Sequence, residues 1–222
     1  MARRTPGQSA GLSRDRIAVA GLDLVDREGL ESFGVRPLAS ALGVDPMSIY
    51  NHVKGKAALL DAVSEAVLVE IAAAWTLWPD DWPGLARAMA RAYRDLAIRH
   101  PRVFPLLATR AQTSATALEA VERLVAAMRS AGVADQVVAD APMVLFGFLN
   151  GYLLATVSAR PDAPTDGDPG RSVDQLLDGS QHPTLAALAH LQAGFGGDAE
   201  FERMLDMVLS GLAEAATRAA GP

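Results

Sequence analysis

Apolar residues recur every three or four positions along most of this chain, and that spacing predicts helices. Ile17, Ala18, Gly21, Leu24 and Val25 mark a first helix. Ser13 is its N-cap, Asp15 suits the first turn, and Gly29 ends it after about Glu28. A short second helix is expected from Val35 to Leu42, with Leu38 and Leu42 on one face and the small Ala39 allowing a close crossing. Gly43 can take the positive φ of a helix C-terminus. Asp45 is a good N-cap and Pro46 suits the first helical position, so a third helix restarts at once and runs to about His52. Ile49 is its core anchor. Leu59, Leu60, Val63, Val67 and Ile71 then define a longer helix to about Ala74.

The stretch from Trp75 to Pro83 holds all three tryptophans and breaks the pattern, so it is expected to be a domain boundary. Leu85, Met89, Ala92, Tyr93 and Leu96 form the next stripe, to about His100. Pro101 and Pro105 confine residues 102–108 to a short or kinked helix. Residues 116–131 are expected to be helical with Leu118, Val121, Leu124, Val125 and Met128 inward, and Gly132 as the C-cap. Residues from about 134 to 160 are strongly apolar and helical, bent or restarted at Pro142. Residues 161–170 read as a polar, turn-rich loop. A short helix over 184–192 and a last one from Asp198 to about Ala219 complete the chain. With no strands and no repeats, the fold class is all-α. The expected organisation is a flexible basic arm over 1–12 carrying Arg3 and Arg4, a three-helix domain over 13–60, a connecting helix and linker over 61–78, and a helical body over 79–222.

Half of the 222 residues are apolar, enough for a sizeable core. There is no cysteine, which excludes disulfides and thiolate metal sites. No apolar run approaches the roughly 20 residues of a membrane span. The N-terminus lacks a signal-peptide stretch, so a cytoplasmic protein is expected. Net charge is −6, which taken alone argues against nucleic acid. Its distribution changes that picture. Residues 1–60 carry 8 Lys+Arg against 6 Asp+Glu, and the remainder 12 against 20. A mildly basic head on an acidic body still permits DNA binding, which needs only a local basic surface.

Two short helices across a tight glycine turn form a helix-turn-helix, whose second helix enters the major groove. Its N-terminal residues face base edges: here Pro46, Met47 and Ser48, with Asn51 one turn later. Ser48 and Asn51 can hydrogen-bond bases, and Met47 can contact a thymine methyl. Asp45 at the cap and Lys54 beyond the helix complete the candidate surface. No nucleophile–base pair, phosphate loop or metal-ligand spacing stands out, His182 and His190 included, so neither an enzyme nor a metal site is expected.

The order Asp26-Arg-Glu-Gly29-Leu30, Val35-Arg36-x-Leu38-Ala39, Leu42-Gly43-Val44 and Ile49-Tyr50-x-His52-Val53-x-x-Lys56-x-x-Leu59-Leu60 resembles the TetR family of bacterial transcriptional repressors. The match is nearly ungapped over about 16–60. The resemblance implies that Tyr50 and Lys56 touch phosphates and that His52 lies near the DNA backbone or bonds across the small domain. A hydroxyl and a lysine at a helix start suit phosphate. Two departures thin the charge. Gly34 stands where the family commonly has Thr or Ser, and Pro37 where a basic residue is frequent. Arg36 is then the main charged candidate in its helix, either for phosphate or for a nearby acid.

For the body the resemblance implies a homodimer and a small-molecule pocket. Gly147, Gly151 and Ala155 form a small-residue face, and Phe201, Leu205, Val208 and Leu212 an apolar stripe, on the two segments that resemble the family's four-helix dimer bundle. Candidate pocket residues are Met89, Tyr93, His100, Phe104, Leu107, Arg110, Met128, Met143, Phe146 and Asn150, with His100 and Asn150 as polar partners for a buried ligand. The expected partners are a palindromic double-stranded DNA operator, a second copy of the chain, and a small, mostly apolar effector, with no required cofactor. The expected function is a dimeric repressor released by that effector. The alternatives are a ligand-independent DNA-binding and dimerisation protein, or a helical enzyme using the pocket.

Overall fold

A computed structural model describes residues 11–74, 78–158, 181–192 and 195–219. The arm with Arg3 and Arg4 and the loop over 161–170 lie outside them. All regular structure among the described residues is helical. The helices are α1 (Arg14–Glu28), α2 (Val35–Leu42), α3 (Pro46–Tyr50), α4 (Gly55–Ala74), α5 (Trp82–Arg99), α6 (Phe104–Thr109), α7 (Ala115–Ser130), α8 (Asp135–Ser158), α9 (Pro183–Leu188, continued as a 3-10 turn over Ala189–Gln192) and α10 (Asp198–Ala219). They divide into two compact units: residues 1–77 with 96–122, and residues 78–95 with 123–222. The first unit therefore holds more than the sequence pattern assigns to the head, because the end of α5, all of α6 and the start of α7 join it.

In the first unit α1 packs on α4 and α2. The Ser13 side chain caps α1 by accepting from the Arg16 N–H at 3.1 Å. Ile17, Leu24 and Val25 of α1 are buried with Leu59, Val63 and Val67 of α4. At Gly21 the two helices leave no room for a side chain: a Cβ there would lie 2.8 Å from Val63 Cγ2 and 3.5 Å from the Phe33 ring. Phe104 and Leu107 of α6, also buried, belong to the same core, where α6 packs on α4.

In the second unit α8 packs on α10. The helix α8 runs as one element through Pro142 rather than restarting there. By length and composition it could cross a membrane, against the expectation that no run reaches that size. Its apolar surface is divided between two faces. Leu145, Leu149 and Leu153 are buried inside the unit, whereas Met143, Val144, Gly147, Gly151 and Ala155 are exposed. Phe148 and Tyr152 stack at 5.7 Å, and both rings meet Phe201 of α10. Arg87 and Arg91 of α5 pair with Glu202 of α10, Arg87 also with Asp206, and Arg94 with Asp198. In α7, Leu124 and Met128 are buried as expected, but Leu118 is 57% exposed. It lies in the helix's first turns, which belong to the other unit.

Gly21→Val places branched carbons against Val63 and Phe33. It is expected to lower stability by about 1–3 kcal/mol, the usual cost of overpacking, read as a drop in the thermal midpoint by circular dichroism.

Candidate nucleic-acid interface

The head's outer surface is built by two caps. Gly43 takes φ +65°, and Val44 N–H then reaches back to the Ala39 carbonyl at 3.0 Å, closing α2. Two residues on, the Asp45 carboxylate accepts from Met47 N–H at 2.8 Å, and Ser48 N–H bonds the Asp45 carbonyl at 2.9 Å. Pro46 has no N–H to satisfy. The amide donors at the start of α3 are thus occupied by Asp45, which serves as the clamp that starts the helix. The helix is held from below by Ile49, 1% exposed, and Val53, 4% exposed.

That anchoring turns the other side chains outward. Met47 is 66% exposed and Tyr50 42%. Arg36, Asn51, His52, Lys54 and Lys56 are exposed, and Pro46 and Ser48 half-buried. An exposed methionine beside an exposed tyrosine, with cations at 36, 54 and 56, is a costly surface for a molecule that leaves it in water, and a fitting one for base edges flanked by phosphates. Gly55 at φ +87° turns the chain between the two lysines, and α4 starts there.

The candidate pocket residues fall in both units. In the second, Tyr93 and Phe146 meet edge to face at 5.6 Å, and the Tyr93 hydroxyl donates to Asn150 Oδ1 at 3.0 Å. Met89 and Met128 are buried in the same unit, but Met143 is 78% exposed, so it lines no interior of its unit. In the first, Phe104 and Leu107 are core, and Arg110 pairs with Asp61 at 2.5 Å. His100 has both ring nitrogens on carboxylates, Nδ1 2.6 Å from Asp26 and Nε2 3.0 Å from Glu70. It is occupied, not offered to a ligand. No group of metal-ligating side chains occurs among the described residues.

The proposed dimer stripe on α10 also changes. Phe201, Leu205 and Leu212 are buried inside their own unit, and Val208 sits at the border. The outward stripe is one step round the helix: Met204, Met207 and Gly211, with Met207 76% exposed. A Cβ on Gly147, Gly151 or Gly211 would meet nothing within 4 Å.

Residues 77–216 match the family model for the tetracyclin repressor-like C-terminal domain. The chain belongs to the TetR family of transcriptional regulators. The HTH-type transcriptional repressor DrrR1 of Streptomyces coeruleorubidus is 28% identical over 219 residues, spanning 95% of this chain and 80% of the relative. The class A tetracycline repressor of Escherichia coli is 28% identical over 204 residues, 91% of each chain. Among solved structures, apo ActR from Streptomyces coelicolor superposes with TM-score 0.80 at 28% identity, covering 95% of this chain and 99% of ActR. ActR has also been solved with actinorhodin, and that structure matches at TM-score 0.76 and 26% identity over 93% and 98%. This TetR-family chain therefore shares the whole two-part architecture with its relatives, not the head alone.

Burial raises the Tyr93 phenol well above its ordinary range. Burial, and then the hydrogen bond to Glu200, push Tyr152 up to about 12. The neutral phenols are favoured by the fold, so this stability is fully present below about pH 10 and is lost as pH climbs through the raised values. With three tyrosines in the chain, a Tyr50→Phe variant isolates these two. Its phenolate absorbance is expected to appear together with loss of helical circular dichroism, not before it.

Proposed function

We propose that this chain is a dimeric, cytoplasmic one-component repressor that reads a palindromic operator through α2 and α3 and is released by a small, mostly apolar effector. One observation carries the DNA-reading part: Ile49 and Val53 anchor α3 from below while Met47, Tyr50 and Asn51 stand exposed between the cations Arg36, Lys54 and Lys56. Met47, Ser48 and Asn51 read bases; Arg36, Tyr50, His52, Lys54 and Lys56 hold phosphates. Asp45 and Pro46 fix the helix start. The Arg3/Arg4 arm adds charge.

Pairing is supported by the open faces of α8 and α10. Gly147, Gly151 and Ala155 admit close helix approach, and Met143, Val144, Met204, Met207 and Val208 supply apolar area that a lone subunit exposes in whole or part. A two-fold pair of heads matches a palindrome. An effector is supported by ActR, solved with actinorhodin, and by the Tyr93–Phe146–Asn150 cluster with its aromatic walls and one polar pair. Release follows from linkage. An effector that favours a body conformation in which α4 holds the two heads at the wrong separation lowers operator affinity, and operator lowers effector affinity by the same factor.

A gel shift with the DNA flanking its own gene tests the reading. Lys56→Ala is expected to weaken binding across all sequences and flatten the salt dependence by about 0.9 for each head. Asn51→Ala is expected to relax discrimination at one base pair in each half-site by about 1–3 kcal/mol. Equal, sequence-blind binding by all three proteins would refute it.

A further inference from the structure

The helix α3 and the residue that closes it contain no arginine, lysine, aspartate or glutamate: the run is Pro46-Met47-Ser48-Ile49-Tyr50-Asn51. That composition limits which base pairs the helix recognises. In the major groove guanine is read by the paired donors of Arg or Lys on O6 and N7, and cytosine by an Asp or Glu that accepts from its N4 amino group. The carboxylate beside the helix belongs to Asp45, and its Oδ1 is turned back onto Met47 N–H at 2.8 Å. Lys54 and Lys56 lie beyond the helix, on either side of the Gly55 turn, and Arg36 belongs to α2. What α3 itself offers are groups suited to the other two bases.

Two of those groups stand one above the other. Asn51 keeps helical angles, φ −66° and ψ −26°, and its N–H bonds the Met47 carbonyl at 3.3 Å. Their side chains therefore share a face one turn apart. Ile49, between them in sequence, is turned into the core at 1% exposed, whereas Met47 is 66% exposed and Asn51 is exposed too. The Asn51 side-chain amide has no hydrogen-bond partner among the described residues, so its donor and its acceptor are both available. Such an amide accepts from adenine N6 while donating to N7, and adenine alone presents that pair on one major-groove edge. Met47 carries a flexible, polarizable apolar chain, and the apolar group on a major-groove edge is the thymine methyl. Four residues of helix rise about 6 Å, against about 3.4 Å per base pair. The two side chains thus reach base pairs one or two steps apart.

Resting on the DNA-reading role given to α3 above, we propose that this helix selects A·T base pairs, with Asn51 on an adenine and Met47 on a thymine methyl one or two steps away in each half-site. Ser48 is half-buried, and a hydroxyl that both donates and accepts adds no preference of its own. The cations Arg36, Lys54 and Lys56 have no acid partner among the described residues, unlike Arg14 on Glu65 or Arg110 on Asp61. They supply affinity that is blind to sequence. Discrimination by α3 then falls to two uncharged side chains.

The test uses the full chain and a duplex carrying the sequence it selects from random DNA, altered at one base of each half-site at a time. Uracil in place of thymine removes the C5 methyl, and 7-deazaadenine in place of adenine removes the N7 acceptor; both keep Watson–Crick pairing. By fluorescence anisotropy at fixed salt, uracil at one position is expected to weaken binding about fourfold per half-site. At another position 7-deazaadenine is expected to weaken it about fivefold. Each loss belongs to one side chain. Uracil should cost nothing further in Met47→Ala, and 7-deazaadenine nothing further in Asn51→Ala, while each variant keeps the other penalty. Both side chains are exposed, so their truncation leaves the core in place. The assignment is overturned, with the DNA-reading role left standing, by a selected site in which neither substitution costs binding at any position. Penalties undiminished in the two variants, or a G·C pair at the position that Asn51→Ala relaxes, overturn it equally. Failure to select any sequence overturns the DNA-reading role and the assignment together.

Discussion

Gly21 and Val63 meet where α1 crosses α4, at a separation that leaves no room for even a methyl group. That contact sets the head's geometry. The helix α4 has its inner face filled by α1, with Leu59, Val63 and Val67 buried, and its start at Gly55 fixes where the two flanking lysines emerge. The helix α1 in turn packs α2, whose end at Gly43 sets the start of α3. A shift of α1 on α4 would therefore move the exposed face of α3. Close packing transmits such shifts rather than absorbing them.

The head's surface and its interior obey opposite demands. Inside, Phe33, Leu38, Ile49 and Val53 are buried in an apolar core. Outside, Met47 and Tyr50 remain exposed although burial would stabilise them. Five residues are too few to hold a helix by their own hydrogen bonds. The fold supplies the missing stability through the Asp45 cap and the Ile49 anchor, leaving the remaining side chains turned outward. The body shows the same division. One side of α8 is turned inward, with Leu145 and Leu149 buried and Phe148 and Tyr152 against Phe201 of α10; the other carries glycines with open space around them and an exposed methionine.

Much of this was legible in the residues, because helix ends are written locally. Ser13, Gly43, the Asp45-Pro46 pair and Asp198 each mark a terminus that the structure places within a residue or two. What was not legible depends on which face wins. The helix α10 carries two apolar stripes of similar spacing, Phe201-Leu205-Leu212 and Met204-Met207-Val208-Gly211. Periodicity cannot rank them; the aromatic ring of Phe201, which needs Phe148 and Tyr152 as neighbours, takes the inner place. Leu118 was misplaced for a related reason, since its helix is shared between two units. The partners of His100 lie 74 and 30 positions away. Only the fold brings them together, so a histidine read as a free polar group proves to be fully engaged.

The proposed pairing requires that two identical heads read one DNA site together. Selection of bound sequences from a pool of random DNA by the full chain tests it most directly. Enrichment of an inverted repeat is expected, with half-site centres separated by about one helical turn of 10–10.5 base pairs or a multiple of it. Enrichment of a single half-site, or of no sequence at all, would contradict it.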